Sequence, residues 1–257
     1  MHIKIPFQSS YYTSNAIIIT GVGRSGTSIL GKLIGSMRNT VYLYEPIIMK
    51  YAYKLNRAVL RTILFEDYIL PTLQYRGNTN DTDDSFMGHY CVDPERKLLR
   101  RRLDAIRYYK NNKIVPVIKS NECQHLAEKY RKIFPKSRIV HIVRNRESVV
   151  KSALLREWYT DKYLKTMIEP TLRFAPVFIR NPIDFKHADT RSRVEMVYDD
   201  LLSYNYFYDL TIKYEELCAN PEKITMDIAS SLNLQPSEKT HEHIKKIKNH
   251  TDINRST

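Results

Sequence analysis

No stretch of this 257-residue chain stays apolar long enough to cross a bilayer as a helix. The opening residues, Met-His-Ile-Lys-Ile-Pro-Phe, are too short and polar for a secretory signal, so the expected location is cytoplasmic. Cysteine is scarce: Cys91, Cys123 and Cys218 lie far apart, with no C-x-x-C pair and no metal-ligand spacing. That argues against a cysteine-held metal and for a reducing compartment, although one disulfide in an oxidising compartment stays open. No internal repeat and no low-complexity tract is present, which sets aside repeat architectures. Acidic side chains are in deficit, 28 Asp and Glu against 41 Lys and Arg, for a net charge of +13. Partners are therefore expected to be anionic. The basic residues are scattered rather than blocked into a tail, so a nucleic-acid partner is not expected. A polyanionic cofactor, an acidic peptide, an acidic glycan or a membrane surface fits the charge.

What is present is the make-up of a globular α/β protein, 42% hydrophobic and 27% charged. The length suits a single domain over residues 1–257 with its own core. The chain is organised around Ala16-Ile-Ile-Ile-Thr-Gly-Val-Gly-Arg-Ser-Gly-Thr-Ser28. Ala16 to Ile19 read as a short buried strand. Gly21, Gly23 and Gly26 supply a tight turn that lets the backbone approach a ligand. Thr27 and Ser28 open a helix-spaced run of Ile29, Leu30, Leu33, Ile34 and Met37. Strand, glycine turn and helix N-terminus together make an anion cradle, since unpaired N–H groups and the positive end of the helix dipole converge there. Gly21 and Gly26 have the spacing of a nucleotide-triphosphate P-loop, but Thr27 stands where its lysine belongs. The cation is Arg24, inside the loop. The loop is expected to hold a phosphate-like group without reaching a γ-phosphate.

Further along, Val41 to Glu45 read as a strand, and residues 47–70 as a helix stopped by Pro71. Residues 75–93 are polar and read as a mobile excursion covering the site. Their Asp81, Asp83 and Asp84 read as a solvated loop rather than a metal site, since the calcium-loop Gly and Glu are missing. Pro94 opens a basic helix over 94–111. Ile114 to Ile118 form a strand whose Pro116 argues for an edge or a bulge. Glu122 to Phe134 read as a helix, and Arg138 to Val143 as a strand covered on both faces. Helical spacing resumes through Val149, Val150, Leu154, Leu155 and Trp158. Residues 160–190, with Pro170, Pro176 and Pro182, read as an irregular cover. A Tyr-rich helix over 191–209, a strand at Leu210 to Lys213, and helices at Pro221 to Leu232 and Pro236 to Lys248 complete the chain.

Strands alternating with helices predict a P-loop-like three-layer α/β/α fold around a central, mostly parallel sheet. Ligands bind such sheets at the carboxyl ends of the strands. That rule gathers Arg24, Glu45, Lys119 and Arg144, each at or just past a strand end. A helix starting near Glu147 would put Ser152 and Arg156 on one face at i, i+4, above Arg144. This set suits a second phosphate, separate from the one in the glycine loop.

Two anion grips at the mouth of one sheet call for a nucleoside with phosphates at both ends. Here the residues resemble a known family. GVGRSGTS after a strand is similar to the 5′-phosphosulfate loop of sulfotransferases. RIVHIVRNRESVVKSALLR resembles their 3′-phosphate segment, with Arg144 and Ser152 at the family's spacing. IKYEELCANPEKITMDIASSLNL is similar to a later segment of the family, which places Tyr214 beside the adenosine. The resemblance runs from residue 16 to about 234 and implies the sulfotransferase fold and the cofactor 3′-phosphoadenosine 5′-phosphosulfate (PAPS), with no metal. It implies Gly23, Arg24, Ser25, Gly26, Thr27 and Ser28 at one end of the cofactor, and Arg144, Ser152 and Arg156 at the other.

Within the family, the likeness leans to protein-tyrosine and membrane-type carbohydrate sulfotransferases, which use Arg in the first loop. Glu45 and Lys119 fall where the tyrosine enzymes carry their catalytic Glu and Lys. The closing Asn-Arg-Ser-Thr resembles a late loop of theirs, which places Ser256 at the cofactor. Tyr42-Leu-Tyr-Glu-Pro46 is more like the carbohydrate enzymes, so the acceptor is left as a glycan, a peptide tyrosine or a small alcohol. The implied reaction is in-line attack of the acceptor hydroxyl on sulfur, with Glu45 as base and Arg24 and Lys119 stabilising developing charge. His89 is the runner-up base, and His141, inside a strand, reads as a core or wall residue. A P-loop kinase or NTPase is the alternative reading, weakened by Thr27. A non-catalytic module for anionic glycans or nucleic acid rests on charge alone.

Overall fold

The computed structural model describes residues 15–46, 48–49, 55–74, 90–91, 101–165, 181–204 and 208–255. The centre is a sheet of order β3-β2-β4-β1-β5-β6, with β1 Ile17–Thr20, β2 Thr40–Tyr44, β3 Tyr90–Cys91, β4 Val115–Lys119, β5 Arg138–Val143 and β6 Leu210–Lys213. All pairings are parallel except the two-residue edge strand β3, which runs antiparallel beside β2. Tyr90 and Cys91, read from the sequence as part of a polar excursion, are thus a strand; the rest of that excursion, residues 75–89 and 92–93, lies outside the described residues.

The strands read as almost continuous apolar runs because helices cover both faces. Alternation sorts them: Ile18, Leu43, Ile118 and Ile139 pack with Leu60, Leu73, Tyr109 and Tyr130 on one face. Ile17, Ile19, Val117, Val140 and Ile142 pack with Leu30, Leu33, Ile228 and Ile244 on the other. A satellite cluster joins Val22 to Val149, Val150, Tyr159, Phe185 and Val197 beyond the sheet mouth. Helix α1, Thr27–Gly35, returns the chain from β1 to β2, two places away, while β5 lies on the other side of β1. The glycine turn thus sits at the point where the strand order reverses, where open α/β sheets bind ligands.

Pro116 lies in an interior strand, not at an edge. Val115 N–H bonds the Asn39 carbonyl on the β2 side, and Ser120 N–H bonds Ile19 O on the β1 side. Alternation turns the missing donor of Pro116 toward Asn15, ahead of Ile17 and Val117, where the β1 ladder begins. Pro71 does not stop its helix. Arg57–Ile63 passes through a π-helical turn, Leu64–Ile69, into Leu70–Gln74. The wider turn, with Leu70 N–H bonded to Phe65 O, makes room for a ring that would clash in a regular helix. The basic helix is described as Arg102–Asn111, and residues 94–100 lie outside the described residues. Of the 160–190 stretch, expected to be irregular, Asp161–Tyr163 and Pro182–His187 are helical, the latter capped by Asn181 and opened by proline, and residues 166–180 lie outside the described residues. The Tyr-rich helix closes earlier, at Thr190–Leu202, and the last helix runs further, Glu238–Arg255.

His141 is a core residue, as its place in a strand predicts. It is 1% exposed, its ring lies 4.1 Å from that of Tyr208, and its Nε2 has no partner among the described residues. Burial pushes it down from 6.5 to about 4, as it does His125; burial and then the charges of Lys239, Lys32 and Lys246 bring His243 to about 4 as well. Between those limits the unfolded chain binds protons that the folded chain refuses. Stability therefore falls as pH drops from 6.5 toward 4, by at most about 3 kcal/mol for His141. The melting temperature should decline through this window, and His141→Leu should flatten the decline. Identical melting profiles for the two proteins across that pH range would contradict the assignment.

Candidate active site

The glycine turn presents an open helix start. Gly26 caps α1 at φ +95°, with no side-chain cap and no acidic residue in the first turn. Its first amides are therefore available to an anion. A Cβ on Gly26 would lie 2.4 Å from the Tyr214 ring, and one on Gly23 would lie 2.2 Å from Trp158. Both glycines are thus required by close approach, and Gly26 by its backbone as well. Ser25 is fully buried, and its hydroxyl has no partner among the described residues. Thr27 is buried at the first helical position, and Ser28 hydrogen-bonds the phenol of Tyr44.

Arg24, at φ +71°, turns its side chain across the mouth. Its Nε donates to Ser152 Oγ at 3.1 Å, and its Cζ lies 5.6 Å from the Trp158 ring. Arg144, just past β5, donates from Nη1 to the Arg24 carbonyl at 3.1 Å and lies 4.5 Å over the Tyr214 ring. The Arg144 Nε is buried without a partner among the described residues. Tyr198 fixes the strand end by donating to the Arg144 carbonyl at 2.7 Å. Burial, then the charges of Arg156 and Arg144, draw the Arg24 guanidinium below its ordinary pKa. Burial pushes Tyr214 up to about 12. The loop cation and the Arg–Ser set, expected as two separate grips, here touch one another. The expected i, i+4 face is not formed: the helix Arg146–Leu154 ends before Arg156, which stands in the exposed turn that follows.

On the β2–β4 side, Lys119 is 1% exposed and Glu45 30% exposed, and Lys119 Nζ lies 2.5 Å from Glu45 Oε1. The ammonium also lies 4.2 Å from the centre of the Tyr44 ring. Glu45 N–H donates to Lys119 O at 3.0 Å, with Glu45 at φ +39°. Burial first, then the Glu45 charge, raise the Tyr44 phenol.

Sequence reasoning missed the remaining wall. Glu122, expected to open a helix, instead occupies a turn at φ +55°, and its N–H donates to Gly21 O at 3.1 Å. Trp158 and Tyr163 stack with centroids 5.7 Å apart, and Tyr159 donates to Glu122 at 2.5 Å. Burial, then the charges of Glu122 and Glu45, raise Tyr163. The single tryptophan of the chain was the one available signal. Arg24, Glu45, Glu122, Glu157 and Tyr159 all have positive φ, and such strained residues gather at functional sites. Ser256 and His89 lie outside the described residues, as does the Asp81–Asp84 cluster. Among the described residues, no group of three or more His, Cys, Asp or Glu is placed to hold a metal, and no helix is long and apolar enough to cross a membrane.

A mostly parallel sheet with an uncapped helix and a cluster of guanidinium groups at its switch point is an α/β arrangement suited to an anion. Residues 16–238 match the profile described as Sulfotransferase family, and the chain belongs to that family. It is accordingly a sulfotransferase, of the family that uses PAPS. In fold it is similar to the sulfotransferase domain from the curacin biosynthetic pathway, at 17% identity and TM-score 0.50, over 88% of this chain and 76% of that one. A sulfotransferase from Mycobacterium tuberculosis aligns at 14% identity and TM-score 0.49, over 94% of this chain and 73% of its own. No functionally curated protein matches the chain in sequence.

Proposed function

We propose that this protein moves a sulfuryl group from PAPS to an acceptor hydroxyl on a carbohydrate or a peptidyl tyrosine. The observation that carries the reading is the gathering of Arg24, Arg144 and Arg156, whose like charges repel, around an uncapped helix start. The buried Ser25 Oγ and Arg144 Nε, without partners among the described residues, are polar atoms that a phosphate-bearing nucleotide would satisfy. When bound, PAPS supplies an activated sulfuryl group on a phosphate leaving group.

In this reading the loop residues Gly23, Ser25, Gly26, Thr27 and Ser28, with Arg24, hold the 5′ end. Arg144, Ser152 and Arg156 hold the 3′-phosphate, and Tyr214 and Ser256 flank the nucleotide. Glu45 takes the proton of the acceptor hydroxyl. Lys119 and Arg24 stabilise charge building toward the leaving group. The kinase or NTPase alternative falls with the family match and with Thr27 in the lysine position.

Adenosine 3′,5′-bisphosphate without metal should raise the melting temperature by several degrees at about a hundredfold excess over Kd, whereas ATP with magnesium should not. The reverse pattern would overturn the donor assignment. Labelled PAPS offered with glycans, tyrosine peptides and small alcohols, followed by mass detection of the gained sulfate, would then identify the acceptor.

A further inference from the structure

We infer that Glu122, acting through Tyr159, positions the Trp158 indole against the donor loop and makes Trp158 a wall of the donor site. The inference rests on the reading above that this loop holds PAPS. Trp158 stands between two residues in left-handed backbone, Glu157 at φ +55° and Tyr159 at φ +61°. Such a turn persists only where its surroundings hold it. Two buried contacts do so. Tyr159 is 2% exposed, and its phenol donates to Glu122 Oε1 at 2.5 Å. Its carbonyl accepts from Arg193 Nη1 at 3.2 Å, and the same guanidinium bonds Asp161 at 2.7 Å and Phe185 O at 3.0 Å.

The turn presses on the cofactor loop at a defined place. A Cβ on Gly23 would lie 2.2 Å from the indole and 2.9 Å from Glu122 Oε1. Glu122 also grips Gly21 through its backbone N–H. The indole then flanks the Arg24 guanidinium, whose Nε is held by Ser152. An aromatic face beside a guanidinium fixes its plane and shields it from water. Glu122 is therefore a positioning residue: it acts through Tyr159 and the Trp158 turn on the side wall of Arg24, the arginine assigned to the donor in the proposed reading.

Trp158 is the only tryptophan, so its emission reports this one place. The native protein, Glu122→Ala, Glu122→Gln, Tyr159→Phe and the Glu122→Ala/Tyr159→Phe double variant would be compared by iodide quenching of tryptophan emission. The same set would be titrated calorimetrically with adenosine 3′,5′-bisphosphate. Glu122→Ala and Tyr159→Phe should both make Trp158 more accessible to iodide and weaken nucleotide affinity by about tenfold. Glu122→Gln keeps an oxygen that accepts the phenol proton and should stay within about twofold of native affinity. The double variant should be no weaker than the worse single variant. Unchanged quenching and affinity in Glu122→Ala and Tyr159→Phe would overturn the inference, as would Glu122→Gln failing as badly as Glu122→Ala. Absence of nucleotide binding by the native protein would sink the donor reading instead, and the quenching comparison would still decide whether Glu122 places the indole.

Discussion

Glu45→Gln should bind adenosine 3′,5′-bisphosphate as the native protein does and should lose roughly two to four orders of magnitude in turnover. The expectation follows from where the carboxylate is held. Glu45 closes β2 at φ +39°, with its N–H bonded to the Lys119 carbonyl, so its backbone is fixed to the neighbouring strand end. One carboxylate oxygen meets Lys119 Nζ, while 30% of the side chain stays exposed. A glutamine has the same shape and still offers Lys119 an oxygen, but it cannot take a proton. The substitution separates a base from a strut, because a strut survives it and a base does not. Calorimetric titration checks the binding half of the expectation, and single-turnover sulfate transfer checks the other. Native turnover in Glu45→Gln would pass the role to another group, with His89 the next to test.

The part of this site that sequence reasoning reaches is the part written locally. A β-branched strand, a glycine turn and a helix start are contiguous between Ala16 and Ser28, and short-range sterics and dipoles dictate them together. Glu45, Lys119 and Arg144 are distant in sequence, but one rule about parallel sheets brings them to the same mouth. What escapes depends on neighbours that a single sequence does not show. Pro116 is tolerated because the β1 ladder starts one rung later, which is a property of register. Pro71 is tolerated because of a π-turn that precedes it. Glu122 and Tyr159 meet across 37 positions, and nothing local to either marks the pair. Helical spacing ran through Trp158, yet the helix stops at Leu154 and the chain turns left-handed at Glu157, where the indole is aimed at the loop.

Lys119→Met should lower turnover by about a hundred- to a thousandfold, the loss typical of removing one donor to developing negative charge. The ammonium is 1% exposed, and a lone charge is costly to bury. It is kept there by the Glu45 carboxylate and by the Tyr44 ring, so the fold holds it ready in a dry position. The pairing Ile19↔Lys119 sets it beside the strand that feeds the glycine loop, the loop that holds the donor in the proposed reading. Methionine matches the length of the lysine stem without the charge. Glu45 is left partly exposed and can rehydrate, so the stability cost should be on the order of 1–2 kcal/mol rather than the full penalty of an orphaned buried charge. Melting temperature and kcat then move apart: a few degrees in one, orders of magnitude in the other. The Glu45→Gln/Lys119→Met double variant should lose less than the product of the two single losses, because in the proposed mechanism the two groups act on the same transition state. If Lys119→Met turned over at the native rate, the ion pair would be only a tie between β2 and β4, and charge stabilisation would rest on Arg24 and the loop amides.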